Sequence, residues 1–295
     1  MIKYLSRHKL NIEKYNACIQ MALSSRIYAY SWYLDIVTDD WDVLVLNNYE
    51  AVMPLPKRKK LGVNYIYLPP WVQQLGVFSV KDINNEIVKE FLQAIPRKFV
   101  LIDLFLNTSN SLDHKNITLR KNYILDLNTS YNDLFNNFSK GRKSSVNLAK
   151  KSNLKVEENL DYKALIELFE TNKGLILKKS NYEYKIIENL ISALIPLQKI
   201  KIYHIKNIDD QIIGGAVFLY DNNRITYLFS ALNNEGRKQQ AMSFLIDHIL
   251  HIYANSNFIF DFEGSMVPKV ASFIKSFGSV LEPYYHFKQK RLKLI

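Results

Sequence analysis

The chain predicts an α/β (α+β) fold of two tandem domains, each a mixed, mostly antiparallel sheet flanked by helices. Three observations carry that expectation. Strand and helix periods alternate along all 295 residues. One order of elements, helix–helix–β-β-β–helix–β, occurs once in each half, with little residue identity between the copies. The polar, turn-rich segment 107–116 (NTSNSLDHKN) separates them. The expected domains are therefore 1–116 and 117–295.

The first half opens with helical spacing from Asn11 to Leu23 and a short helix around Ser31 to Val37. Strands follow at 42–47, 49–56 and 63–69. Ile87, Val88, Phe91, Leu92 and Ile95 recur at three- and four-residue spacing, which predicts an amphipathic helix stopped by Pro96. The apolar run 99–106 (FVLIDLFL) reads as a buried strand, and 117–127 as another.

In the second half a helix starts near Ser130, with Asp133 in its first turn to suit the dipole. Two more follow, from Asp161 and over 182–195. Strands are predicted at 200–206, 211–220 (QIIGGAVFLY) and 224–232 (RITYLFSAL), then a long helix over 237–255. FIFDFEGS closes on a strand that feeds a last helix, with Ser265 as N-cap and Gly278 as C-cap.

Bulk properties exclude several classes. With 48% hydrophobic and 23% charged residues, the chain has the balance of a folded protein and not of a disordered one. No apolar run reaches the roughly 18–20 residues of a membrane span, and the N-terminal stretch lacks the apolar centre of a signal peptide. Cys18 is the single cysteine, so no intramolecular disulfide forms and a cytoplasmic location is expected. There is no G-x-S-x-G elbow and no P-loop. His248 and His251 share a helix face with no third ligand nearby in sequence, so no metal site is expected. The net charge of +11 suits an anionic partner, although lysines on solvated surfaces account for it equally.

Three segments could carry chemistry. Gly214 and Gly215 interrupt a strand otherwise rich in Ile, Val and Phe, which marks either a bulge or a close ligand approach. On the second reading, a valine at Gly215 would block a ligand and leave the fold intact. In 232–250 (LNNEGRKQQAMSFLIDHIL), polar residues lead into a nearly all-apolar helix. In 260–278 (FDFEGSMVPKVASFIKSFG), Asp261 and Glu263 alternate with Phe260 and Phe262, so both carboxylates are expected on one face at a strand end. Glu263 there is a candidate general base. Asp261 is a candidate for holding the loop or contacting substrate.

The β-β-β-α-β-α order, with a diglycine in its middle strand, resembles the core of the GNAT acyltransferase superfamily. FDFEGS followed by FIKSFG resembles the D-F-x-G and F-Y-x-x-F-G motifs of its Fem-like branch, and 138–155 (FSKGRKSSVNLAKKSNLK) resembles the basic helical start of the second Fem-like domain. The resemblance implies acyl or aminoacyl transfer from acyl-CoA or aminoacyl-tRNA to an amine acceptor, in the metabolism of a lipid-linked or peptidoglycan precursor, with no permanently bound cofactor. It places Gly214, Gly215, Asn233, Arg237, Lys238, Gln239 and Ala241 at the donor site. There the superfamily carries Q/R-x-x-G-x-G/A, but Gln240 and Met242 replace the small residues. Ile274 stands at the tyrosine of the second motif, which leaves Tyr284 and Tyr285 as substitute acids. In 68–79 (LPPWVQQLGVFS), Trp71, Gln73 and Gln74 resemble the motif between strand and helix in the first Fem-like domain, which reads equally as a rim of the acceptor groove or as a proline-locked structural loop. These departures leave open a second reading, a catalytically silent binding protein of this fold recognising an anionic precursor. The remaining basic runs, 57–60 (KRKK) and 288–293 (KQKRLK), are expected as an exposed turn and a tail.

Overall fold

A computed structural model describes residues 1–174 and 180–291; Leu292 and Lys293 of the basic tail lie outside the described residues. Two compact units make up the chain. The first is Met1–Lys121 together with the C-terminal residues from Glu282, and the second is Asn122–Leu281.

In the first unit, β1 (Ile2–Ser6) precedes α1 (Ile12–Met21), whose N-terminus is capped by the Asn11 side chain accepting from Lys14 N–H. Then come α2 (Ser31–Val37), β2 (Trp41–Leu46), β3 (Ala51–Lys60), β4 (Val63–Ile66) and the short β5 (Phe78–Ser79). The spaced apolar residues predicted as a helix form α3 (Asn85–Ala94), which buries Val88, Phe91 and Leu92. It leads into β6 (Phe99–Leu106).

The second unit takes up β7 (Ile117–Asp126) at the residues that pair, followed by α4 (Tyr131–Asn136) and α5 (Lys140–Lys150). After β8 (Lys155–Glu158), α6 (Tyr162–Phe169) and α7 (Asn181–Leu194) come the three long strands β9 (Ile200–Lys206), β10 (Ile212–Asp221) and β11 (Arg224–Leu232). The predicted long helix is two: α8 (Asn234–Lys238) and α9 (Ala241–Tyr253), broken at Gln240, whose φ of 57° is left-handed. β12 (Ile259–Asp261), α10 (Pro268–Lys275) and β13 (Val280–Lys290) complete the chain.

Each unit carries the mixed, mostly antiparallel sheet that the pattern predicts. The first runs β1-β2-β3-β4-β6-β13, and the second β7-β12-β11-β10-β9-β8. Each contains one parallel pair, β4 with β6 and β11 with β12. That pair is the mark of the repeated order: an antiparallel three-strand meander, a helical crossover, then a strand returning alongside the third.

The expected division at 116/117 differs from the compact units at both ends. β13 pairs with β6 from Tyr285↔Leu106 to Lys290↔Leu101, so its second half belongs to the first unit. Segment 107–116 is not a solvated linker either. Asn107 and Asn110 are buried and donate to Val77 O at 2.9 and 3.0 Å, Asn110 also accepts from Val77 N–H, and Leu112 joins the apolar core. KRKK is likewise no turn: Lys57–Lys60 pair with Ile66–Val63 as the end of β3. Lys57 meets Asp40 and Asp42 there, and Arg58 meets Asp39.

Candidate active site

β11 and β12 run side by side only from Arg224↔Ile259 to Thr226↔Asp261. Beyond that register β11 continues to Leu232, while the chain after β12 turns away. The turn is built by two consecutive left-handed residues, Glu263 and Gly264, each at φ 56°. Asp261 holds it: one carboxylate oxygen accepts from Glu263 N–H at 2.8 Å, and the other meets Arg224 of β11 at 2.6 Å. Past Thr226, β12 no longer pairs with that edge of β11. A bulge on the other side of β11, between the pairs Val217↔Phe229 and Phe218↔Tyr227, takes Leu228 out of the ladder with β10 and bends the strand.

The wedge between the parted strands is a cleft of about 390 Å³. β11 lines it with Tyr227, Leu228, Phe229 and Ser230, α9 with Met242, and α10 with Lys269, Phe273 and Ile274. Glu263 and Lys269 are its charged groups among the described lining residues. At the start of α9, Ser243 and Phe244 N–H bond Gln240 O, and Met242 of that first turn lines the cleft. The Tyr227 ring stacks on Phe218 at 5.4 Å; burial pushes its hydroxyl well above the ordinary value, and Ser230 offsets a part. It stays protonated at any physiological pH, which makes it a hydrogen-bond donor in the cleft.

Behind the wall sits Arg142, part of the basic run 138–155. It is 9% exposed and lies over Phe273 and Phe277 at 4.2 and 4.6 Å, with its guanidinium bonded to Ser243 and Ser276. Burial pushes it down to about 10. It ties the first turn of α9 to α10, and so sets the spacing of two cleft walls.

Of the residues expected at the site, Glu263 alone lines the cleft among the described residues. Gly214 and Gly215 lie one strand away, in β10, which is paired on both sides. A Cβ on Gly214 would stand 2.3 Å from Leu232 Cδ2, and one on Gly215 2.3 Å from Tyr203 O. Protein atoms fill the space that the ligand reading required. The diglycine serves the bulge at Ile212/Gly214 and the close approach of β9 and β11.

Asn233 caps α8 by accepting from Gly236 N–H at 2.8 Å, Arg237 bonds Asn234 and Asn172, and Gln239 bonds Glu235 at 3.0 Å. Lys238 is exposed and Ala241 buried. Asp261 is buried beneath the turn and shares no open face with Glu263. Ser265 accepts from Val267 N–H, and the N-cap of α10 is Val267.

The remaining expected residues belong to the first unit. Tyr284 is buried edge-on to Phe105, and Tyr285 pairs with Leu106. Gln73 and Gln74 are buried and bonded to each other at 2.7 Å, and Trp71 O accepts from Tyr33 at 2.5 Å. The sequence reading missed Tyr227, Ser230, Met242 and Lys269. Lys269 did leave a trace: a cation in the first turn of a helix opposes the dipole, a local conflict that points to function.

Comparison with known proteins agrees with this geometry. Residues 142–265 match the acetyltransferase (GNAT) domain family, a segment that runs from Arg142 through the parted strands to Ser265. FemX matches with a TM-score of 0.69 at 14% identity, covering 98% of both chains. Part of the chain is thus similar to a GNAT domain, and its fold is like that of FemX. A Bacteroides thetaiotaomicron protein of unknown function is similar at TM-score 0.60 and 10% identity, over 98% of this chain and 100% of that one. L-PGS from Bacillus licheniformis is similar at 0.54 and 14%, over 95% and 91%. No curated protein matches by sequence. Within the matched residues the parted parallel pair is β11 and β12, one strand on from the diglycine. No described helix is long and apolar enough to cross a membrane.

Proposed function

We propose that this protein transfers an acyl or aminoacyl group to an amine acceptor in the cleft between β11 and β12. The observation that carries the reading is the edge of β11 from which β12 parts beside Glu263. An amide-bearing donor arm pairs with that edge as an added strand, and its carbonyl comes to rest near the bulge at Leu228. Glu263 takes a proton from the acceptor amine, whose nitrogen then attacks the carbonyl carbon. The tetrahedral oxyanion is held by β11 N–H groups. As it collapses, the bond to the donor oxygen or sulfur breaks, and the Tyr227 hydroxyl stands ready to hydrogen-bond the leaving atom. The apolar walls exclude water, which would otherwise compete as nucleophile.

The donor classes are acyl-CoA and aminoacyl-tRNA, the latter favoured by the absence of the small residues at Gln240 and Met242. The likeness in fold to FemX, taken with the Fem-like motifs, supports an amine acceptor of the envelope-precursor kind. A reducing cytoplasm agrees with Cys18, a buried thiol pushed up to about 12 by its surroundings. Calorimetric titration with acyl-CoA, then with aminoacyl-tRNA, tests the proposal. Saturable binding of one donor with turnover in an amine-acceptor assay is expected, and binding of neither would sink it.

One observation favours the rival, a silent binding protein: Ile274 stands buried in the cleft wall where the resemblance expects a tyrosine. Donor binding without transfer to any amine would select that reading.

A further inference from the structure

The first unit holds a separate cavity of about 650 Å³ on the α3 side of its sheet. β13 alternates there. Phe287, Gln289 and Arg291 line the cavity, while His286 and Lys288 turn to Asp103 on the other face. The end of α3 and the residues after it bring Lys89 and Arg97, and 107–116 brings Leu112 and His114. The lining so contains two arginines, a lysine and a histidine, and no carboxylate among the described residues.

The partners of these cations matter. Lys89 pairs with Glu86 one turn back on α3 at 2.7 Å. Arg291 donates from one guanidinium nitrogen to Ile95 O and Pro96 O at 2.9 and 3.0 Å, and from Nε to Gln289 at 3.2 Å. None of those acceptors carries a formal charge. Burial, and after it the field of Arg97, hold Arg291 below its ordinary value. Arg97 is exposed and makes no ion pair among the described residues. Two guanidiniums at one cavity, with no carboxylate among its described lining residues, suit an anion, and guanidinium donors match phosphate geometry best. Beside them lies an apolar floor of Leu92, Leu112 and Phe287, the last with the His114 ring tilted against it at 5.7 Å.

We infer that this cavity binds a small phosphorylated ligand, its phosphate between Arg97 and Arg291 and its aromatic or apolar part on Leu112 and Phe287. The size is ordinary for a small-molecule site. None of these residues takes part in the transfer step proposed above, so the two readings stand or fall separately.

The test is calorimetric titration of the full chain with AMP, adenosine and inorganic phosphate. AMP is expected to saturate, phosphate to bind more weakly, and adenosine not to bind. R97E, at an exposed position, should weaken AMP about 10–100-fold without moving the unfolding temperature. Glu263→Gln should leave AMP affinity unchanged, which separates this cavity from the β11–β12 cleft. Phosphate binding that R97E abolishes supports the site even where AMP adds nothing. Absence of saturable binding by both AMP and phosphate overturns it, as does equal affinity for adenosine and AMP, or wild-type AMP affinity in R97E.

Discussion

Glu263 occupies a backbone conformation that costs a non-glycine residue roughly 1 kcal/mol, and the turn keeps it there through Asp261 and Arg224. The two acids, alike in sequence, are divided by one turn into separate roles. Glu263→Gln retains size and hydrogen bonding but cannot accept a proton, so turnover should drop by about 10²–10⁴ with donor affinity nearly unchanged. Near-normal turnover in a steady-state assay would remove it from the mechanism. Asp261→Asn instead takes away the buried partner of Arg224, and about 3–5 kcal/mol of stability should go with it, measured by urea unfolding. Gly215→Val reverses the expectation drawn from the sequence. Its Cβ would lie 2.3 Å from Tyr203 O, so the variant should lose about 1–3 kcal/mol or more before any ligand is added. A variant with wild-type stability and lost donor binding would restore the ligand reading of the diglycine.

The two units show what one order of elements can become. In the second, the parallel strands part after Thr226 and the wedge stays open. In the first, β4 and β6 pair as far as Ile66↔Ile102, and the chain then returns so that Leu75 bridges to Leu106 in parallel. Leu75 and Gln74 are buried there, so the first wedge is filled by its own residues 67–77, including the loop expected to rim an acceptor groove. Nothing in the local pattern of LPPWVQQL announces this, because the filling is decided by the space between two strands. β13 is fastened to β6 by a charge cluster. Burial of Asp103 would push its carboxyl up, but bonds from Lys288 and His286 outweigh that and hold it below the usual range. A carboxylate with a depressed folded value contributes stability above its unfolded value and loses it as the pH falls through the folded one. Asp103→Asn should therefore destabilise the protein near neutral pH and flatten the acid limb of its stability profile. Denaturant midpoints measured from pH 7 down to about pH 3 check this; parallel acid limbs in wild type and variant would exclude Asp103 as the titrating group.

For the whole molecule, the C-terminal strand has more weight than its position suggests. It covers β6 and adds Phe287 to the core of the first unit, some 180 residues along the chain from its partner strand. Truncation before Glu282 should expose Ile102, Leu104 and the edge of β6, and removes no residue of the second unit. Limited proteolysis should then cut within 1–121 and spare 122–281; equal resistance of both would show that β13 is dispensable.

Periodicity and local chemistry determined the elements of this protein: the three- and four-residue spacing of α3, the three strands β9–β11, and the repeated order that makes two mixed sheets. These are properties of neighbouring residues, and a sequence displays them directly. The motif FDFEGS also located Glu263, because a strand end followed by glycine can be read locally. Only the tertiary structure decided where β11 parts from its neighbour, that protein atoms stand where a Cβ on Gly214 or Gly215 would reach, that Arg142 is buried behind the cleft, and that Tyr284 and Tyr285 belong to the first unit. Each of those depends on which residues distant in the chain come within a few ångströms, and spacing along the chain carries no record of that distance.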